Sequence, residues 1–120
     1  MLSFIPSQDP QTLAFEISGT VTKEDLKKLE RAIEEQFSED QQFNAYAIMQ
    51  QPELPTIKAL AEEAKIDMKR WSQYHKLAVV SEKNWLETMT NLTDYLPGIK
   101  AKHFNMNETE QAWSWIKAEQ

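Results

Sequence analysis

The stretch Leu13-Ala-Phe-Glu-Ile-Ser-Gly-Thr-Val-Thr-Lys-Glu-Asp-Leu26 changes period halfway along, and that change decides the fold. Leu13, Phe15 and Ile17 alternate with Ala14, Glu16 and Ser18, the spacing that gives a half-buried strand one apolar face. Beyond Gly19 the pattern turns helical. The Thr22 hydroxyl can accept an early helix N–H, and Asp25 falls in the first turn, near the positive end of the helix dipole. Leu26, Leu29, Ile33 and Phe37 follow at the spacing of an amphipathic helix, expected over about 22 to 38.

A strand feeding a helix is the first half of a βαβ unit, and the flanking sequence extends it in both directions. Leu2 to Ile5 supplies a short strand before Leu13, with Ser7 to Gln11 as the hairpin connection. Phe43 to Met49 is apolar on both faces, as an interior strand is. A second helix is expected from Pro55 to Trp71, with Ile57, Leu60, Ala61, Ala64, Met68 and Trp71 on one face. Lys76 to Ser81 contains Leu-Ala-Val-Val and reads as a covered strand. Glu82 to about Tyr95 reads as a helix stopped by Leu96-Pro-Gly98. Ile99, Ala101 and His103 then alternate with Lys100, Lys102 and Phe104 in an edge strand, and Asn107-Glu-Thr-Glu110 is a cap signal before Ala112, Trp113 and Ile116. The predicted order is β-β-α-β-α-β-α-β-α. That is an α/β fold, a single domain over residues 1–120, with a mixed five-stranded sheet and four helices. Strands joined through one helix are parallel, because each crossover returns the chain to the same end of the sheet. Strand order is not fixed by spacing.

Composition removes several function classes. The chain has 120 residues, two glycines and no cysteine. Thiolate catalysis, thiolate metal sites and disulfides are therefore absent, which fits a reducing, cytoplasmic setting. Gly19 and Gly98 are too few and too far apart for a Gly-rich phosphate loop. No signal peptide or membrane span is legible. His75 and His103 belong to no hydrolase or metal motif and read as ordinary surface or boundary histidines, so catalytic residues, metal ligands and cofactors are all expected to be none.

The net charge of -6 disfavours nucleic acid, but the acidity is unevenly spread. Residues 1–55 hold 4 basic and 10 acidic side chains, whereas residues 56–83 hold 6 and 4. Lys58, Lys65 and Lys69 share a helical stripe, with Arg70 beside it. Read functionally, the stripe meets an anionic membrane surface at the inner face; read structurally, it is a solvated helix face. Trp71 and Trp85 fit core packing or a pocket wall, and Trp113 and Trp115, two apart in a helix, cannot share its buried face. In open α/β sheets ligands bind beyond the carboxyl ends of parallel strands. Here that region gathers Gln50, Leu54, Thr56, Ile57, Leu60, Ser81, Asn84 and Trp85, a mixture of uncharged polar and apolar groups suited to an amphiphilic ligand.

Phe15-Glu-Ile-Ser-Gly-Thr-Val-Thr22 entering a helix, Phe43 to Met49, Lys76-Leu-Ala-Val-Val80, Lys83-Asn-Trp-Leu86 and Ala112-Trp-Ser-Trp115 together resemble the bacterial SpoIIAA-like family, related to STAS domains (sulfate transporter and anti-sigma-factor antagonist). The resemblance implies the mixed five-stranded sheet with four helices. Through a further likeness to CRAL-TRIO lipid-carrying domains, it also implies an apolar ligand or membrane association. Anti-sigma-factor antagonists carry a phosphorylated Ser in an Asp-Ser motif where the second helix begins. This chain reads Leu54-Pro-Thr-Ile57 there, so Thr56 is the one hydroxyl at that place and the phosphoswitch is not carried over with the resemblance. The leading expectation is a non-enzymatic module for a lipid-like ligand, peripheral to membrane. The alternative is a protein-interaction regulator of the antagonist kind, contacting its partner through the Thr56 end. A homodimer through the exposed edge strand stays open.

Overall fold

The computed structural model describes residues 1–50, 68–82 and 98–118. Five strands, β1 (Leu2–Phe4), β2 (Thr12–Ser18), β3 (Phe43–Gln50), β4 (Tyr74–Ser81) and β5 (Lys100–Asn105), form one sheet in the order β1-β2-β3-β4-β5. β1 pairs antiparallel with β2, and the remaining neighbours are parallel, giving the mixed sheet that the sequence predicts. Three helices stand among the described residues: α1 (Lys23–Gln36), α2 (Met68–Gln73) and α3 (Thr109–Lys117). Apart from Glu82, the helix expected over Glu82 to Tyr95 falls outside the described residues, as does most of the one expected from Pro55.

Parallel strands that advance in one direction across a sheet, joined by right-handed crossovers, put those crossovers on one face. α1 occupies that face. Ile33 and Phe37 pack there with Leu13, Phe15 and Ile17 of β2 and with Phe43, Ala45 and Ala47 of β3. Phe43 lies between two rings, stacked on Phe37 at 4.8 Å and tilted against Tyr74 at 4.6 Å. α3 follows the last strand and covers the opposite face, where Ala112, Trp113 and Ile116 meet Ala14, Tyr46, Ala78, Val80 and Phe104. Tyr46 and Trp113 stack at 4.3 Å, whereas Trp115, two residues on, is only half-buried. Trp71 packs against the first core group, in line with the core-packing reading of that residue.

Local chemistry accounts for the starts of α1 and α3 differently. Thr22 and Asp25 form a reciprocal capping box: Asp25 N–H donates to Thr22 Oγ1, and Thr22 N–H donates to Asp25 Oδ2 at 2.9 Å. That backbone donor is the first cause holding the Asp25 carboxyl below its ordinary pKa. At α3 the sequence points to Asn107 as the cap, and the structure corrects this to Glu108. Glu108 Oε1 accepts from Asn105 N–H at 2.8 Å, so the acid closes the preceding turn instead of capping the helix.

β4 begins two residues earlier than the apolar pattern indicates, at Tyr74. Its pairing with β3 runs Phe43 to Tyr74 and then Ala45 to Leu77, so β4 carries one extra residue at His75 and Lys76. The bulge takes the Lys76 N–H out of the ladder, and Asn44 Oδ1 accepts it at 3.2 Å. This irregularity hides the strand's start from a period-two reading.

Candidate functional site

Successive strand residues point to opposite faces, so the alternation fixes which side chains meet at the carboxyl ends of the parallel strands. On the α1 face, Val79 is followed two residues on by Ser81, and Ala101 by His103 and Asn105. Ser81 lies opposite Asn105 in the β4–β5 register. The Ser81 side chain is fully buried, and its Oγ lies 2.7 Å from His103 Nε2. Burial lowers the His103 pKa, opposed by the Glu108 charge and by a hydrogen bond to the Ser81 backbone, so the ring is neutral near pH 7. His103 Nδ1 and Asn105 Oδ1 are both buried with no hydrogen-bond partner. The expected ligand set contains Ser81 but neither of these β5 residues. They are 22 and 24 positions further along the chain, and only the strand order brings them to Ser81.

Gln50 occupies the α3 side of the same sheet end, since Met49 points to the α1 side. Its Nε2 donates to Glu16 Oε2 at 2.9 Å in an exposed pair. Gln50 and Ser81, grouped by sequence, therefore sit on opposite faces of the sheet. Leu54, Thr56, Ile57, Leu60, Asn84 and Trp85 lie outside the described residues.

Of the basic stripe, Lys58 and Lys65 also lie outside the described residues. Lys69 Nζ is 3.2 Å from Glu39 Oε2. The Arg70 side chain is 13% exposed; its Nε donates to Glu30 Oε2 at 3.0 Å, and a terminal nitrogen reaches Glu34 Oε1 at 3.4 Å. Both charges are thus directed at carboxylates of α1 and the loop after it. Tyr74, under the same contact, has its phenol pKa pushed up by burial and by Glu30.

At the opposite, amino-terminal end of the sheet lies a second buried cation. Lys76 is 1% exposed, and its Nζ donates to the Trp115 carbonyl at 2.8 Å and the Ala118 carbonyl at 2.7 Å, with Trp115's ring 5.3 Å away. These carbonyls lie in the last turn of α3 and at its C-cap, where no intrahelical donors remain for them. Burial, with Lys100 beside it, lowers the Lys76 pKa. Among the described residues no group of three or more His, Asp and Glu comes together as a metal site would need, and no helix is long and apolar enough to cross a membrane.

Four parallel strands in chain order, an antiparallel strand at the β1 edge and helices on both faces make a mixed-sheet α/β architecture, consistent with the SpoIIAA/STAS fold. A family model described as SpoIIAA-like matches residues 12–117, and the chain belongs to that family. No curated protein and no solved structure matches it.

Proposed function

We propose that this protein is a non-enzymatic protein-interaction regulator that binds a partner of the anti-sigma-factor kind. Its contact is the end of the sheet where β3 runs out at Gln50 and the chain continues to Thr56 and Ile57. The observation that carries this reading is the family match, which extends from β2 through α3 and so takes in the whole parallel part of the sheet. Two features support it further. The carboxyl ends of parallel strands are where α/β sheets present their loops for recognition. Gln50 is exposed there and paired with Glu16, a polar rim of the kind that surrounds protein interfaces. Because Leu54-Pro-Thr-Ile57 lacks the Asp-Ser of the switch, binding does not depend on phosphate at Thr56.

The test is to isolate tagged protein from its native source and measure the assembly by native and intact-mass spectrometry. A stoichiometric protein partner retained by unmodified chain is expected, lost in Gln50→Arg and Thr56→Trp and kept in Lys117→Glu on α3. A partner indifferent to Gln50 and Thr56 would overturn the proposed contact. Co-purified lipid without protein would return the function to the amphiphilic-ligand reading.

A further inference from the structure

β5 is last in the sheet, so among the described residues one side of it has no strand beside it. What that side offers is set by the turn that follows. Asn105 N–H donates to Glu108 Oε1 at 2.8 Å, and the Asn105 carbonyl accepts from Glu108 N–H at 2.9 Å. Asn105 therefore turns both backbone groups away from β4. Backbone groups alternate in direction along a strand, so Ala101 and His103 present theirs on the same outer side. Nothing among the described residues bonds them there. Glu108 thus closes the carboxyl end of the edge and leaves Ala101 to His103 as the stretch able to pair.

Charge decides what can pair. Lys100 and Lys102 are exposed and share the α3 face with Lys76 and Phe104. The Lys102 ammonium stands 5.3 Å from the Phe104 ring. After burial, the charge of Lys100 is the next cause lowering the pKa of both His75 and Lys76, so the amino-terminal half of this edge is a region of positive potential. A chain of net charge -6 carries a positive strip along its outermost strand. Lysines on an edge discourage a second cationic strand and favour an acidic one. A second copy of this chain is the first occupant to lose. Antiparallel pairing about a two-fold axis at Ala101 sets Lys100 opposite Lys102, and an axis at Lys102 sets that lysine against itself. An axis at His103 needs the Asn105 backbone groups that Glu108 already holds. An acidic strand meets none of these obstacles.

We propose that β5 takes up an acidic peptide as an added edge strand, with its backbone on Ala101 and His103 and carboxylates two residues apart facing Lys100 and Lys102. The backbone bonds supply attachment and the lysines choose the charge, the division of labour in strand addition. The site is two strands away from Gln50 and does not rest on the protein-contact reading.

The experiment uses the full chain labelled with nitrogen-15, with amide hydrogen exchange read residue by residue. In the free protein the amides of Ala101 and His103 should exchange faster than those of Lys102 and Phe104, which face β4; the reverse order would overturn the proposal. Three blocked peptides are then titrated: one alternating valine and glutamate, one alternating valine and lysine, and the glutamate peptide N-methylated at every backbone amide. The glutamate peptide is expected to give saturable shifts along β5 and to slow exchange at Ala101 and His103, with Lys102 and Phe104 little changed. Binding should be at least about tenfold weaker for the lysine peptide and for the Lys100→Glu, Lys102→Glu double variant, as reversal of two exposed pairs predicts. The N-methylated peptide should also lose at least about tenfold, because it cannot complete the backbone bonds. Equal binding of the N-methylated peptide would mean charge attraction alone, and exchange at Ala101 and His103 that slows with protein concentration before any peptide is added would mean self-association. Either would overturn the proposal, as would the absence of saturable shifts in β5 at millimolar peptide. None of these results bears on partner binding at Gln50 and Thr56.

Discussion

Lys76 Nζ lies 2.8 Å from the carbonyl oxygen of Trp115, so a strand lysine closes the end of a helix 39 residues further along the chain. An ammonium at the negative end of a helix dipole is favourably placed, and the carbonyls of the last turn need donors from outside the helix. Opposing this is the desolvation that lowers the Lys76 pKa. The short contacts decide in favour of the cap, since hydrogen bonds from charged donors are the stronger kind.

Lys76→Met keeps an apolar stem and removes the donor. We expect a loss of about 1–3 kcal/mol in urea unfolding, from hydrogen bonds to a charged group and the carbonyls left without it. Amide exchange should quicken in α3 and stay unchanged in α1. Equal quickening in both helices would mean that the lysine contributes to general packing instead.

Asn44 Oδ1 accepts the N–H that the β4 bulge removes from the ladder. Asn44→Ala leaves that buried donor unmade and should cost about 1–3 kcal/mol. The same substitution at exposed Gln50 should stay within about 0.5 kcal/mol. Chemical denaturation of the two variants side by side checks the contrast.

Arg70 ties α2 to α1 through Glu30 and Glu34. A double-mutant cycle of Arg70→Ala with Glu30→Ala should give a coupling of about 1 kcal/mol, the upper range for exposed pairs, because the guanidinium is largely covered. The coupling should shrink in high salt, as the carboxylate is partly exposed. A salt-independent coupling would point to packing of the arginine stem.

Burial lowers the pKa of His103, and burial, then Lys100 and Lys76, lowers that of His75. The unfolded chain therefore takes up protons on both histidines at higher pH than the folded protein does. Stability should fall as pH drops below about 6.5 and stop falling on this account once the folded pKa values are passed. Asp25, whose pKa is lowered, adds a further loss on acidification below about 4. Urea unfolding at stepped pH checks the direction, and His75→Gln should flatten part of the first slope. A gain in stability on acidification through that range would contradict it.

What the sequence made legible follows from which forces are local. The switch from period two to helical period at Gly19 located β2 and α1 to within about two residues, the ordinary uncertainty of element ends. Alternation through Ile99 to Phe104 likewise identified β5, with Lys100 and Lys102 exposed and Phe104 buried. Tyr74 and His75 escaped because a bulge breaks the alternation where the strand begins. The Ser81–His103 pair escaped for a different reason: its members are neighbours only because β5 lies beside β4, and strand order has no local signal. The burial of Lys76 has no local signal, because it depends on α3 supplying carbonyls from the far end of the chain.

The most direct test of the regulatory reading is hydrogen–deuterium exchange on the isolated complex against the free chain. Protection is predicted at the end of β3, Met49 and Gln50, and through residues 51–57, with Thr109–Lys117 of α3 unchanged. Protection confined to α3 or to the β5 edge, with Gln50 to Ile57 exchanging as in the free protein, would contradict it.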